Sequence, residues 1–249
     1  MLEAAALHDP RARAQTGRAL LEGPHLLGEA LAAGARIERI FARADDAISR
    51  EAARRVGVDL VVVDERALRR LATTEHPQSP VAVFVIPDPP PVAAGDVLVA
   101  WGVGDPGNVG TLIRSAAAFG LGFAAGPGTA DPWAPKVLRA AAGGHFRTGV
   151  TRLDTLDPLR AGGRRLAATV ARGGMPPAAL PEMPLAILVG EEARGLPPEV
   201  VAGCDLAVTI PMPGGSESLN AAVAGAIVAY EAAQRRRSSR GGEAAAARP

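Results

Sequence analysis

Ile210-Pro211-Met212-Pro213-Gly214-Gly215-Ser216-Glu217-Ser218-Leu219-Asn220 stands between an apolar run, Leu206 to Thr209, and an apolar segment of helical length, Ala221 to Glu231. The run before it reads as a buried strand. That strand cannot continue its ladder into Pro211, Gly214 and Gly215, because proline lacks the N–H and glycine favours a bend. Ser218 or Asn220 can cap the helix that follows, since either side chain accepts from its free N–H groups. A loop dense in small polar groups thus joins a strand end to a helix start, the place where α/β sheets bind ligands. An ordinary capped turn satisfies the same local pattern, so the rest of the chain has to distinguish them.

Working outward, strands are expected at Val97 to Gly102, Gly122 to Ala125, Arg165 to Ala171, Leu185 to Gly190 and Asp205 to Ile210. Helices are expected at Val109 to Phe119, Pro135 to Ala142, Pro198 to Ala202 and Asn220 to Arg235. Strands alternating with helices predict a mainly parallel sheet covered on both faces. Upstream, Ala19 to Ala32 carries leucines near helical spacing, interrupted at Gly23-Pro24. Ile37 to Ala42, Leu60 to Val63 and Val81 to Ile86 read as strands, with helices at Ala47 to Val56 and Glu65 to Thr73. The proline-rich segment 88–95 is a semi-rigid linker by composition. It divides a smaller α/β domain, 1–87, from a larger one, 96–235, followed by a tail, 236–249, expected to be disordered.

At 249 residues, 48% of them hydrophobic and 21% charged, the chain can bury a sizeable core. Its longest apolar run, Ala221 to Tyr230, falls short of the roughly 20 residues a membrane span needs. No hydrophobic signal core follows Met1, and the one cysteine, Cys204, excludes an internal disulfide. A cytoplasmic location is expected. A net charge of +1 gives no overall basic field for nucleic acid, although a local patch suffices for that role. Lys136 is the only lysine among the 27 cations. Arginine suits bidentate phosphate contacts, and a GC-rich coding bias would give the same composition.

Several segments carry chemistry. Gly102, Gly104 and Gly107 satisfy G-x-G-x-x-G after a strand and before a helix, the dinucleotide fingerprint. The acid it wants on the next strand is missing, with the nearest, Asp131, in a Gly/Pro loop, and Pro106 removes an N–H from the cradle. In the same segment Asn108 and Arg114 are polar groups on a small, apolar helix start. Gly107, Gly110 and Arg114 fall near one face, where another backbone or a substrate can approach beside a fixed cation. Glu191 and Glu192, bracketed by Gly190 and Gly195 after the strand Leu185 to Val189, can meet a ligand's hydroxyl or amine, or simply complement a helix dipole. His145 and Arg147 can touch RNA or cap a helix end. The histidines have no metal-ligand spacing with Cys204, and neither a nucleophile elbow nor a Walker lysine is present.

Three segments in order resemble the motifs of the SpoU/TrmH family of RNA ribose 2′-O-methyltransferases, in the SPOUT superfamily. They are Asp105 to Arg114, Val189 to Leu196, and Ile210 to Asn220 with its alanine-rich helix. Lys136 to Arg139 and His145 to Arg147 resemble the connecting segment. Residues 13–86, with Leu21-Glu22-Gly23, are similar to the N-terminal RNA-binding domain that many members carry. The resemblance implies S-adenosylmethionine as methyl donor and a trefoil-knotted C-terminal domain (the α/β-knot). It also implies a homodimer, no metal, and an rRNA or tRNA substrate, with the extra domain favouring rRNA. Gly190, Ile210, Met212 and Leu219 would line the donor site, largely through backbone. Asn108, Arg114, Glu192, Ser218 and Asn220 would form the catalytic and substrate-facing set. Ala193, Glu191 and Ser216 depart from the family pattern, and Glu191 adds negative charge beside the RNA site.

A guanidinium is essentially never deprotonated, so Arg114 is expected to hold a phosphate and stabilise a developing alkoxide rather than abstract a proton. Two alternatives stand beside this: a non-catalytic RNA-binding relative, and an NAD-dependent oxidoreductase using the turn at Gly102, Gly104 and Gly107.

Overall fold

In the computed structural model, residues 1–92, 94–161 and 163–246 are described, without the side chains of 237–246. The first half runs α1 (Leu2–Ala6), α2 (Pro10–Thr16), β1 (Arg18–Glu22), α3 (Pro24–Ala32), β2 (Ile37–Ala42), α4 (Ala47–Val56), β3 (Asp59–Val62), α5 (Glu65–Leu71) and β4 (Val81–Val85). Its strands make a sheet of order β1-β4-β2-β3, with β4 antiparallel to both neighbours and β2 parallel to β3. The single helical segment expected over 19–32 is a strand followed by a helix. Leu20 and Leu21 pair with Val83 and Ala82 of β4, a non-local ladder that leucine spacing does not reveal. Gly23, at φ +96°, turns the chain, and Pro24 starts α3 at the position where its missing N–H costs nothing. Helices α1 and α2 were not anticipated. Asp9 caps α2 by accepting from the N–H of Arg11 at 2.7 Å.

The second half runs β5 (Val97–Ala100), α6 (Pro106–Phe119), β6 (Gly122–Ala125), α7 (Pro135–Ala141), α8 (His145–Thr148), β7 (Thr151–Arg152), α9 (Asp157–Ala161), β8 (Arg165–Thr169), β9 (Leu185–Val189), α10 (Pro198–Ala202), β10 (Leu206–Val208) and α11 (Ala221–Ala246). The six strands form a wholly parallel sheet of order β10-β8-β9-β5-β6-β7. Every residue of β5, β6 and β9 is buried, which is why they read as continuous apolar runs rather than alternating ones. Strand β6 has the bounds expected, while the other four expected strands overrun at their C-terminal ends by one to two residues, because their ladders stop where the loops of that rim begin. Short β7, α8 and α9 had no periodic signal. Helix α11 continues past Arg235 to Ala246, so the segment expected as a tail falls partly on this helix, and 247–249 lie outside the described residues.

Close packing sets where the helices lie. A Cβ on Gly110 would stand 2.4 Å from the Cβ of Ala140 and 2.7 Å from the carbonyl oxygen of Val137, so α6 and α7 touch almost backbone to backbone. Gly225 gives the same intimacy to α11, where a Cβ would meet Leu112 at 2.4 Å and Val189 at 3.1 Å. Both halves share one apolar core, running from Leu21, Leu27 and Phe84 to Leu98, Leu112 and Val137. Phe84 of β4 packs on Trp133 and Phe146, with ring centroids 6.0 and 5.7 Å away. Each such aromatic pair adds about 0.5–1.5 kcal/mol beyond its buried area. Ion pairs cross the same boundary: Arg13 to Asp131 at 2.5 Å, Arg147 to Glu29 at 3.2 Å and Arg139 to Glu22 at 3.6 Å. The segment 88–95 is tied at both ends, since Thr151 donates to the Pro90 carbonyl and Arg164 to that of Gly95.

One crossing is unusual. Strand β10 lies beside β8 on one edge, while Met175 bridges to Val208 from its other edge. The N–H of Met175 donates to Ala207 and that of Thr209 to Met175, each at 2.9 Å. Residues 170–174 therefore cross over β10 in five residues. Gly174 permits it, because a Cβ there would lie 2.7 Å from the backbone of Val208.

Candidate active site

The C-terminal ends of β8, β9 and β10 open onto a cavity of about 500 Å³. Its volume lies inside the range of small-molecule sites, and its place outside the carboxyl ends of parallel strands is where such sheets bind ligands. Gly190, Ile210, Met212 and Leu219, expected to line a donor site, all line it, together with Glu192 and Ser218. Gly190 is there for a steric reason. A Cβ would meet the backbone of Gly195 and Leu196 at 2.3 Å, because residues 191–195 fold back through a bridge between Glu191 and Gly195.

Three of the polar residues meet at the rim. Asn220 heads α11, its Oδ1 accepting from the N–H groups of Ala222 at 2.9 Å and Val223 at 3.2 Å. Its amide is thereby oriented, and Nδ2 donates to Oδ1 of Asn108 at 3.0 Å. Asn108 in turn donates through Nδ2 to Oε1 of Glu192. One hydrogen-bonded chain thus links the three motifs across 112 positions of sequence. Capping fixes its Asn220 end and the backbone of its middle member, as Asp105 caps α6 by accepting from the Asn108 N–H at 2.8 Å. Between the two capping options read from the sequence, Asn220 takes the role and Ser218 is left exposed on the cavity wall.

Arg114 is not brought into this cluster. It is exposed on α6 beside the α7–α8 junction, its Cα 3.2 Å from where a Cβ on Gly144 would be. Its guanidinium has no hydrogen-bond or ion-pair partner among the described residues. The glycine face that leads to it is covered at Gly110 by the α7 backbone rather than by a substrate. His145, considered for RNA contact, is buried with Nε2 2.7 Å from the Pro132 carbonyl, and burial pushes its imidazole down to about 4. Arg147 is exposed and pairs with Glu29. Burial likewise pushes the Cys204 thiol up to about 11, far from a thiolate nucleophile. The wall also uses residues not singled out from sequence: Thr169 and Val170 at the end of β8, Leu196, and Ala224. A threonine closing a buried strand was the available signal for the first.

The dinucleotide alternative fails here. The Asp105 carboxylate occupies the N-terminus of α6 and sits 2.9 Å from where a Cβ on Gly107 would be, so the helix end offers no pyrophosphate cradle. Asp131, the acid that would have held a ribose, is held by Arg13. Among the described residues no three His, Cys, Asp or Glu side chains are grouped to hold a metal ion, and no helix is long and apolar enough to cross a membrane.

Comparison with known proteins bears on the same residues. The model of the SpoU rRNA Methylase family matches residues 96–230, and the MRM3-like substrate binding domain matches residues 2–82. The chain is 35% identical over 229 residues to the 23S rRNA (guanosine(2553)-2′-O)-methyltransferase RlmP of Bacillus subtilis, covering 90% of this chain and 92% of that one. The crystal structure of the SpoU methyltransferase AviRb from Streptomyces viridochromogenes, in complex with the cofactor AdoMet, superposes with a TM-score of 0.87 at 27% identity, covering 95% of this chain and 97% of that one. The crystal structure of an AdoMet-bound rRNA methyltransferase from Sinorhizobium meliloti gives a TM-score of 0.82 at 29% identity, covering 95% of this chain and 94% of that one.

Proposed function

The chain belongs to the SpoU rRNA methylase family, and from that premise we propose that it transfers a methyl group from S-adenosylmethionine to a ribose 2′-hydroxyl of ribosomal RNA. The observation that carries this is the chain Glu192–Asn108–Asn220 at the rim of the 500 Å³ cavity. The cavity suits the donor. Val170, Leu196, Ile210, Met212 and Leu219 supply apolar wall, and the loops around Gly190 and Ile210 supply backbone N–H and C=O groups. Bound there, the donor supplies a methyl group already activated by its sulfonium.

What remains for the chain's own residues is positioning and charge. Asn220, locked by capping, and Asn108, held between it and Glu192, orient the ribose. Glu192 has Oε1 engaged by Asn108, which leaves Oε2 to accept the proton of the incoming hydroxyl as the 2′-oxygen takes the methyl group. Ser218, exposed on the wall, is free to bond the same sugar. Arg114, an unpaired cation at the outer edge, holds a flanking phosphate and stabilises negative charge growing on the 2′-oxygen. Residues 1–87 carry the RNA-binding domain and 96–235 the methyltransferase domain, joined through 88–95. The crossing of 170–174 over β10 supports the family's trefoil knot. Val223 and Tyr230, two turns apart and about half exposed on one face of α11, support a homodimer. The cytoplasm, where ribosomes are assembled, is the expected location.

Tritium transfer from labelled donor to bulk rRNA and to tRNA tests the reading, with the methylated nucleotide then mapped. Label is expected in rRNA, at a position resistant to alkali. Donor binding with no label in either RNA would leave a non-catalytic RNA-binding relative.

A further inference from the structure

Glu22 ends β1 with its side chain 6% exposed, a costly place for a carboxylate unless it is fully engaged. It is. Oε2 accepts from the Thr73 N–H at 3.1 Å and the Thr73 hydroxyl at 3.4 Å. Oε1 accepts from the Thr74 hydroxyl and from the Gln78 N–H at 3.3 Å. The neighbouring Gly23 leaves room for Gln78, whose Oε1 lies 2.9 Å from where a Cβ would be. One buried carboxylate therefore gathers both ends of the 73–78 loop, while Thr73, Glu75, His76 and Gln78 face solvent.

The same carboxylate reaches into the other half. Arg139 of α7 approaches Oε2 at 3.6 Å and donates to the Thr73 hydroxyl. Helix α7 packs on β1 on one side and on α6 on the other, the latter with Gly110 set against Ala140 and the Val137 carbonyl. Helix α6 carries Asn108 and Arg114. A continuous set of rigid contacts thus runs from the loop through Glu22, Arg139 and Gly110 to the reacting groups. Lys136, one turn before Arg139 on α7, and Arg114 on α6 are exposed cations on the two helices of that path.

We infer that Glu22 is a positioning residue for RNA: with Arg139 it fixes the 73–78 loop as an RNA contact in register with Arg114 and the 2′-hydroxyl site. This rests on the reading of the chain as an RNA ribose methyltransferase. Glu22→Gln keeps the shape but replaces two acceptors with one, and Arg139→Gln breaks the bridge from the other side.

The test measures RNA affinity by fluorescence anisotropy with an unmodified large-subunit rRNA transcript, donor affinity by calorimetry, and kcat and KM for that transcript. Both variants are expected to weaken RNA binding and raise the RNA KM by about tenfold, the worth of a hydrogen bond to a buried charge. The kcat at saturating RNA and the donor Kd are expected to stay within twofold. A merely structural role lowers donor and RNA affinity together, and that result overturns the inference. So does unchanged RNA affinity in both folded variants. Wild-type protein that binds donor yet no RNA overturns this inference and the proposed function together, which separates the two failures.

Discussion

Gly190→Ala adds one methyl group at the floor of the cavity, and its cost follows from what stands there. The new Cβ would lie 2.3 Å from both Gly195 C and Leu196 N and 2.5 Å from Gly195 O, all backbone. Ordinary carbon contacts are about 3.5–4.0 Å, so residues 195–196 must move by more than 1 Å. No flexible side-chain end is available to absorb the shift. Overpacking of this kind costs typically 1–3 kcal/mol, and a backbone-on-backbone clash belongs at the upper end, about 3 kcal/mol. For a chain of this size each kcal/mol lowers Tm by roughly 2–4 °C, giving a drop of about 6–12 °C. The same displacement moves the 191–195 loop that lines the cavity, so donor affinity should fall by at least tenfold. Differential scanning fluorimetry and calorimetry with S-adenosylmethionine read the two quantities. Gly214→Ala is the control from the same rim, since a Cβ there meets nothing within 4 Å. It should change neither. A Gly190→Ala protein melting within 2 °C of wild type and binding donor normally would refute the reasoning.

Other perturbations probe different parts. Arg114→Ala should leave donor affinity within twofold and lower turnover by about 10²–10³, the worth of a stabilising donor at a developing oxyanion; donor binding lost along with turnover sinks the assigned role. His145 titrates in the fold near 4 instead of near 6.5, so the neutral ring is favoured and only the unfolded chain takes up this proton between those values. Its contribution to stability is thus complete above about pH 6.5 and declines by roughly 3 kcal/mol as pH falls towards 4. Chemical denaturation across that window should show a shallower decline in His145→Phe, and equal slopes count against the account. Light scattering should give wild type twice the 25.4 kDa chain mass, and Val223→Glu with Tyr230→Glu should return it to the monomer. Wild type at 25.4 kDa rejects the dimer.

Much of the larger sheet was legible because its strands are buried on both faces and flanked by glycine and proline. Helix α4 and strand β2 have the bounds their patterns predict. Arg18–Glu22 was not legible, since Leu20 and Leu21 satisfy a helix locally and only the β4 ladder makes them a strand. At the site, motif order brought together Asn108, Glu192 and Asn220, and the cavity-lining set. The isolation of Arg114 was hidden, because 3.6 periodicity places it beside Gly110 without saying that α7 covers that glycine. The buried engagement of Glu22 was hidden for the same reason: its partners at 73–78 and 139 are distant in sequence.

The crossing of 170–174 over β10 has a consequence for how the protein is made. Translation delivers the crossing segment first, and the strand it covers emerges more than thirty residues later. Strands β5 to β9 can pair while the nascent chain is still tethered, but the slot between β8 and Met175 stays empty until 206–209 arrive. The cavity wall is drawn from Thr169 to Ala224, so it too is unfinished until then. A nascent chain can therefore present its whole first sheet, with the 73–78 loop set, while holding no donor. With the donor held in that cavity as proposed, binding of S-adenosylmethionine should report that synthesis has passed residue 224.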